Sequence, residues 1–393
     1  MTKEQNKKAP NLRFKGFTND WEQRKFENLV SRLSKTSNNE SLPNVTYDDI
    51  KSKENSLNKD ITELTHGKKG IHFNKDDILV GKLRPYLGNI LLARFNGIAV
   101  GDFWVLSPKD NNISSFLFDL IQTSKYKYIS NLSSGSKMPR SDWNLVSKAS
   151  FWVPIQQEQN KIGKIFQLID NLVSLQQRKL KLLRTLKSGL SFKLFNKKHL
   201  NNLSQISLDQ IGRTYSGLTG KSKKDFGHGH AFYVSYLNVN QNEIGNPKQI
   251  DRIEIDKKQN LVQKNDIFFT ISSETPEEVG LTSLWPVSCK NLYLNSFCFG
   301  FRINTKMFIP LYLGYLFRSE YFREKVLPLA QGISRYNLSK NNVLKIKIGQ
   351  EEIAIQEKYA KVMNDLDSDI LRQKKKVKEL KLCKKFLLQN MFI

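Results

Sequence analysis

Along residues 158–194, apolar side chains return every three or four positions: Ile162, Ile165, Ile169, Leu172, Leu180, Leu183 and Leu190. The rhythm comes back over residues 351–392, at Ile355, Tyr359, Val362, Leu366, Ile370, Val377, Leu380 and Leu387. Such spacing, sustained over about four heptads, predicts two long helices that share a coiled-coil seam. A surface helix of one globular domain normally stops sooner. The predicted seam holds Ile162, Ile165, Ile169, Leu172, Leu180 and Leu183 from the first helix. Tyr359, Val362, Leu366, Ile370, Val377 and Leu380 come from the second. The two stretches align without a gap at an offset of 197 residues, which sets Asp170 on Asp367, Gln176 on Gln373 and Phe195 on Phe392. Both glutamines fall on the seam. A polar residue there either fixes register at some cost in stability or reaches for solvent.

Upstream of each helix lies a mixed segment of domain size. KDDILVGK at 75–82 echoes KNDIFFTI at 264–271, and SSGSKMPRSDW at 133–143 echoes AQGISRYNLSK at 330–340, with Gly135 on Gly332 at the same offset. Aromatic and β-branched content predicts strands at Gly101–Leu106 and Asn295–Ile303. Amphipathic periodicity predicts helices over Phe116–Tyr128 and Leu311–Val326. The plan is an internal duplication: a first domain at 12–157, a helix at 158–196, a second domain at 203–350 and a helix at 351–393. The expected fold is α+β. Two globular domains are held apart by two long antiparallel helices forming a coiled coil, with a pseudo-two-fold internal repeat.

A helix of this length spans about 50 Å at 1.5 Å per residue. Antiparallel pairing would put one domain at each end. On a duplex, with about 34 Å per turn, that predicts two half-sites separated by unread base pairs. The domains differ in sequence far more than the helices do, so the halves should differ as well.

Charge turns this geometry towards a polyanion. The chain of 393 residues carries 63 basic and 37 acidic residues, a net charge of +26, and nucleic acid is the commonest partner of such an excess. Only 15 of the basic residues are arginines. Lysine mostly supplies phosphate affinity, whereas arginine suits bidentate contact with guanine. Arg84 in VGKLRPYLGN, Arg140 in GSKMPR and Arg335 in GISRYN therefore stand out, each in a polar loop beside glycine, which lets backbone approach a phosphate.

Candidate chemistry is sparse. The stretch GLTGKSKKDFGHGH, 217–230, ends a Gly-Lys-Ser like a phosphate loop, but five residues before Gly220 stands Tyr215 where that motif needs glycine. His228 and His230 have no cysteine near them in sequence, and a catalytic zinc needs a third protein ligand. The stretch reads as a solvated loop, with no metal site. The only Asn-Pro, Asn246-Pro247, is followed by Lys248 and cannot be an adenine-methyltransferase loop. No dinucleotide glycine loop occurs, and Glu379–Lys381 falls within the second helix, away from any acidic partner on a sheet. No catalytic residue is assigned. Cys289, Cys298 and Cys383 form no Cys-x-x-Cys pair and fit a reducing compartment. The polar N-terminus and the absence of a long apolar run predict a cytoplasmic protein without a membrane partner.

These features together resemble the specificity subunit of type I restriction-modification enzymes. The resemblance rests on the domain–helix repeat, PIQQEQNKI at 154–162 leading into the first helix, the KDDILVGKLRPYLGN and GSKMPRSDW loops, and the opening LRFKGFTNDWEQRKFENL at 12–29. One departure is GQEEIAIQEKY at 349–359, which lacks the proline and has Ile-Gln for Glu-Gln. The resemblance implies two target-recognition domains that bind a bipartite, asymmetric site on double-stranded DNA. It implies two methyltransferase subunits that carry S-adenosylmethionine and the N6-adenine chemistry. It also implies two ATP- and Mg-dependent translocating nuclease subunits, and no cofactor in the specificity subunit itself. It places the Gly-rich stretch of the second domain near DNA, with Lys221, Lys223 and Lys224 on phosphates. The expected DNA-contacting set is Lys82, Arg84, Tyr86, Ser136, Lys137 and Arg140 in the first domain. In the second it is Thr219, Lys221, Lys223, Lys224, Ser272, Ser273, Ser334, Arg335 and Tyr336. An RNA-binding protein on a helical rod, or a protein scaffold that does not bind DNA, is the alternative.

Overall fold

The computed structural model describes residues 9–52, 54–132 and 138–393. Its two longest elements are helices at Gln156–Leu194 and Ile353–Asn390. The chain divides into two compact units. One runs to Arg178 and takes in Lys374–Ile393; the other is Lys179–Gln373. Each long helix thus contributes to both units; the first unit is discontinuous in sequence, and the second is one continuous stretch.

The first unit is built on an antiparallel sheet in the order Val30–Leu33, Phe103–Pro108, Ile78–Gly81, Ile90–Leu92. The strands Phe103–Val105 and Ile78–Val80 are buried on both faces, as their continuous apolar runs demand. On one face pack short helices at Ser114–Leu120 and Ser124–Ser130, with Phe116, Leu117 and Tyr126 buried. On the other a second sheet, Thr36–Ser37, Gly70–Phe73, Gly97–Ala99, Asn44–Val45, closes a smaller core around Phe73, Leu79 and Phe103. A two-stranded ribbon pairs Glu22–Lys25 with Ser150–Val153, next to the first long helix in sequence.

The second unit repeats the design. Its main sheet runs Gly212–Ser216, Cys298–Ile303, Ile267–Thr270, Thr282–Leu284, again antiparallel throughout. Helices Pro310–Leu316 and Glu320–Val326 pack beside it, and Gln205–Ser207 pairs with Lys347–Gly349. The duplication read from the loops is therefore a duplication of sheet topology.

Each amphipathic helix expected as one piece is two. Thr123 interrupts the first: its side chain accepts the Tyr126 N–H and caps a new helix. Ser319, in extended backbone, occupies the same place before Glu320. The stretch around His228 is also not simply a loop. Phe226–Val234 is a strand, paired with Ile250–Ile253 across an irregularity between Phe226 and Ala231.

Within each unit the long helices pack antiparallel. In the first, Phe166 lies 6.0 Å from Phe392, ring centre to ring centre, and Asp170 accepts from Lys384 Nζ at 2.6 Å. In the second, Phe195 meets Tyr359 at 6.4 Å and Lys187 Nζ donates to Asp367 at 2.6 Å. Of the predicted seam, Ile162, Ile169 and Ile370 are buried, while Ile165, Leu180, Leu183, Tyr359, Val362, Leu366, Val377 and Leu380 are half-buried. Leu172 is 45 % exposed and does not belong to it. Phe166, Met363 and Gln373 are buried instead. The apolar positions cover more of the helix surface than one seam needs, so periodicity alone does not select the buried stripe.

The starts of both helices are held alike. Gln159 Oε1 accepts the Ile113 N–H at 3.0 Å and its Nε2 donates to the Pro154 carbonyl at 3.0 Å. Gln356 does the same with Ile309 at 2.9 Å and Glu351 at 2.8 Å. The missing proline of the second repeat leaves this clamp intact. Glu158, fully buried, receives a two-pronged contact from Arg13 at 2.7 Å on each oxygen, which ties the N-terminal segment to the first helix.

Candidate nucleic-acid interface

In the first unit the strand Ile78–Gly81 leaves the sheet as Lys82-Leu83-Arg84 and meets the chain returning at Pro139–Ser141. The Arg84 N–H donates to the Pro139 carbonyl and the Ser141 N–H to the Lys82 carbonyl, both at 2.8 Å. A short antiparallel bridge joins Leu83 to Arg140. Two loops that lie far apart in sequence thus form one junction, and it carries Lys82, Arg84, Tyr86 and Arg140. Arg84 sits in left-handed backbone, φ 50° and ψ 61°, ahead of Pro85. That conformation costs a non-glycine residue energy and turns the chain out of the sheet. Arg84 and Tyr86 are exposed. Ser136 and Lys137 lie outside the described residues.

Two residues not anticipated from sequence organise this junction. Asp102 receives Arg140 Nη2 at 2.8 Å and Lys82 Nζ at 3.5 Å. Its carbonyl accepts from the Lys82 N–H at 2.9 Å and from Tyr47 Oη at 2.5 Å. Tyr47 Oη also accepts the Leu83 N–H at 3.1 Å. Burial pushes the Tyr47 phenol up to about 12, so it stays a donor. The only sequence hint of Asp102 was its place at the head of the predicted strand GDFWVL.

The second unit builds an equivalent junction. Ile271 N–H donates to the Phe297 carbonyl at 2.9 Å, as Lys82 does to Asp102, and Leu338 N–H donates to the Ile271 carbonyl at 2.9 Å. Ser272–Ser273 pairs antiparallel with Tyr336–Asn337. By this register Arg140 corresponds to Asn337, and Arg335 stands two residues earlier, in the turn just before the strand Tyr336–Leu338. Its guanidinium lies over the Phe297 ring, 5.8 Å from the centre. The two arginines therefore reach equivalent neighbours of opposite character, a carboxylate in one unit and an aromatic face in the other. The turn between Gln331 and Tyr336 requires Gly332, whose φ is 139° and where a Cβ would stand 2.0 Å from the Arg335 carbonyl oxygen. Here glycine shapes the turn itself, rather than merely clearing space for a phosphate.

Some expected contacts are engaged within the protein. Ser273 is buried and its Oγ donates to Glu278 at 2.9 Å; Ser272 Oγ is covered. Ser334 and Arg335 are exposed and Tyr336 is half-buried. In the Gly-rich stretch, Thr219 is clamped at both backbone groups by Gln259, at 3.0 and 3.1 Å. Lys221 differs from its neighbours: its side chain is 14 % exposed and its Nζ is 2.8 Å from Asp256. That hydrogen bond holds the Asp256 carboxyl well below the usual range. Lys223 and Lys224 are exposed. His228 sits between the Glu254 carboxylate at 3.0 Å and the Lys224 carbonyl at 2.7 Å, and these acceptors, Glu254 first, raise its pKa.

Residues 18–185 match the family model described as the type I restriction modification DNA specificity domain. The match covers less than half of the chain and likens that part to the type I restriction-modification DNA specificity domain. The fold agrees over far more than that stretch. The S subunit of a type I restriction-modification system from M. genitalium superposes with a TM-score of 0.64 at 16 % identity, covering 98 % of this chain and 99 % of that one. A chain from a structure described as the basis of complex assembly and conformational transition of the type I R-M system gives 0.53 at 13 % identity, covering 94 % and 96 %. At these identities the likeness is one of fold. No helix among the described residues is long and apolar enough to cross a membrane.

Proposed function

We propose that this chain is the non-catalytic specificity subunit of a type I restriction-modification complex and binds a bipartite, asymmetric site on double-stranded DNA, one half-site per sheet-rich domain. The observation that carries the reading is the duplicated junction. The same strand exit, paired with the same returning segment, presents Arg84 and Arg140 in one domain and Arg335 in the other. A protein with a net charge of +26 holds phosphate strongly in any sequence; arginines on braced backbone add base reading. Because Asp102 faces one arginine and Phe297 the other, the half-sites differ. Two methyltransferase subunits supply S-adenosylmethionine and two restriction subunits supply the ATP- and Mg-dependent steps, and the long helices serve as their scaffold.

The test is to map N6-methyladenine across a genome lacking such systems, with this chain expressed beside its cognate methyltransferase subunit. Methylation at one split, asymmetric motif is expected. An assembled complex that methylates no new motif would overturn the proposal and favour the RNA-binding or scaffold reading.

A further inference from the structure

Ile333 is 98 % exposed, more than any other large apolar side chain among the described residues. It stands at the tip of the turn between Gln331 and Tyr336, between Gly332 and Ser334. The turn is well supported. Its strands pair Ala330 with Leu338 and Gln331 with Asn337, and Asn337 Nδ2 donates to the Arg335 carbonyl at 3.2 Å. Gly332 tolerates no Cβ there. An isoleucine held in water on a braced turn gains nothing from the fold, since its apolar area is buried against nothing. Two residues on, Arg335 rests over Phe297, itself half exposed. The tip therefore joins one apolar point to one guanidinium already laid flat.

We propose that Ile333 reads the C5-methyl group of a thymine in the major groove of the half-site bound by the second domain. This rests on the DNA-recognition reading above. Duplex DNA offers an isoleucine few apolar surfaces. One is the thymine methyl, exposed at the groove edge. The other is the face of a base, reached only by parting a stacked step at a cost of a few kcal/mol. The turn projects a single branched side chain with no second apolar residue next to it in sequence, which suits contact at an edge rather than a wedge. In sequence, the 197-residue offset sets Ser136 on Ile333, so the preference belongs to one half-site only.

The experiment uses the complex of this chain with its methyltransferase subunit and duplexes of the mapped motif, in which each thymine is replaced singly by uracil. Removing one buried methyl, worth about 0.8 kcal/mol, should weaken binding about fourfold at one position of one half-site. Ile333→Ser should bind the thymine and uracil duplexes equally, with affinity for the other half-site unchanged. A motif in which uracil is tolerated everywhere, or an Ile333→Ser complex that keeps the thymine preference, overturns the inference while leaving the DNA-recognition reading standing. So does 2-aminopurine fluorescence rising at one step on binding of the native complex alone, which would mark insertion between bases. Failure of the native complex to select any motif would instead remove the reading on which the inference rests.

Discussion

Asp170 and Lys384 lie 2.6 Å apart, and so do their counterparts in the repeat, Asp367 and Lys187. Each unit takes the acid from one long helix and the base from the other, so the pair marks the antiparallel register. Lys384 is 15 % exposed and binds both oxygens of Asp170. Lys384→Met should destabilise the first unit by about 1–3 kcal/mol, the range for losing a hydrogen bond to a charged group. Reversing the pair, with Asp170→Lys and Lys384→Asp together, should recover most of it. Denaturant unfolding of the native chain, Lys384→Met, the two single reversals and the double reversal measures this; an additive double variant would show that the two residues do not interact.

Asp119 is buried beside that pair, and desolvation raises its pKa well above the ordinary aspartate value, with Lys384 pulling the other way. The folded state thus holds a proton that the unfolded chain releases earlier. Stability from this group is greatest below the ordinary aspartate range and falls as pH climbs from there through the folded value. Asp119→Asn should flatten that decline. Its melting temperature should exceed that of the native chain at pH 7 and match it more closely at pH 4. An equal effect at both pH values would exclude titration of Asp119 as the cause.

Asp102 restrains two cations, Arg140 and Lys82. Asp102→Asn should release them towards phosphate, strengthen binding to unrelated DNA and steepen the dependence of log K on log salt by about one to two, at 0.9 per phosphate neutralised. Titrations at several salt concentrations check this. An unchanged slope would mean that the junction faces away from the backbone.

The lysines of the Gly-rich stretch should separate into two kinds. Lys223→Ala and Lys224→Ala should each reduce the salt slope by about 0.9 without affecting stability. Lys221→Ala should instead loosen the clasp to Asp256, seen as faster amide exchange around Ser222–Asp225 with little change in slope. Equal slopes for all three variants would contradict the distinction.

Much of this architecture was legible in residue spacing. The 197-residue offset survives as two equivalent sheets, two glutamine clamps and two mirrored ion pairs, because helix period and strand composition are local properties. The loops around Arg84, Arg140 and Arg335 were picked out by their rarity and polarity, and all three border the junctions. The breaks at Thr123 and Ser319 were missed because a cap within an amphipathic run is outvoted by its apolar neighbours.

By itself, then, the sequence determined the duplication, the two long helices and the loops that carry arginine. Tertiary structure decided what those side chains face. Arg140 meets Asp102 and Arg335 meets Phe297 only because strands distant in sequence leave their sheets side by side. Leu172 stays in solvent while Gln373 is buried, because a helix with apolar residues on more than one face is oriented by what packs against it. Lys221 is spent on Asp256, 35 positions along the chain, while Lys223, two residues away, stays free for a partner. Pairing of charges depends on distance in space, and the order of residues does not contain it.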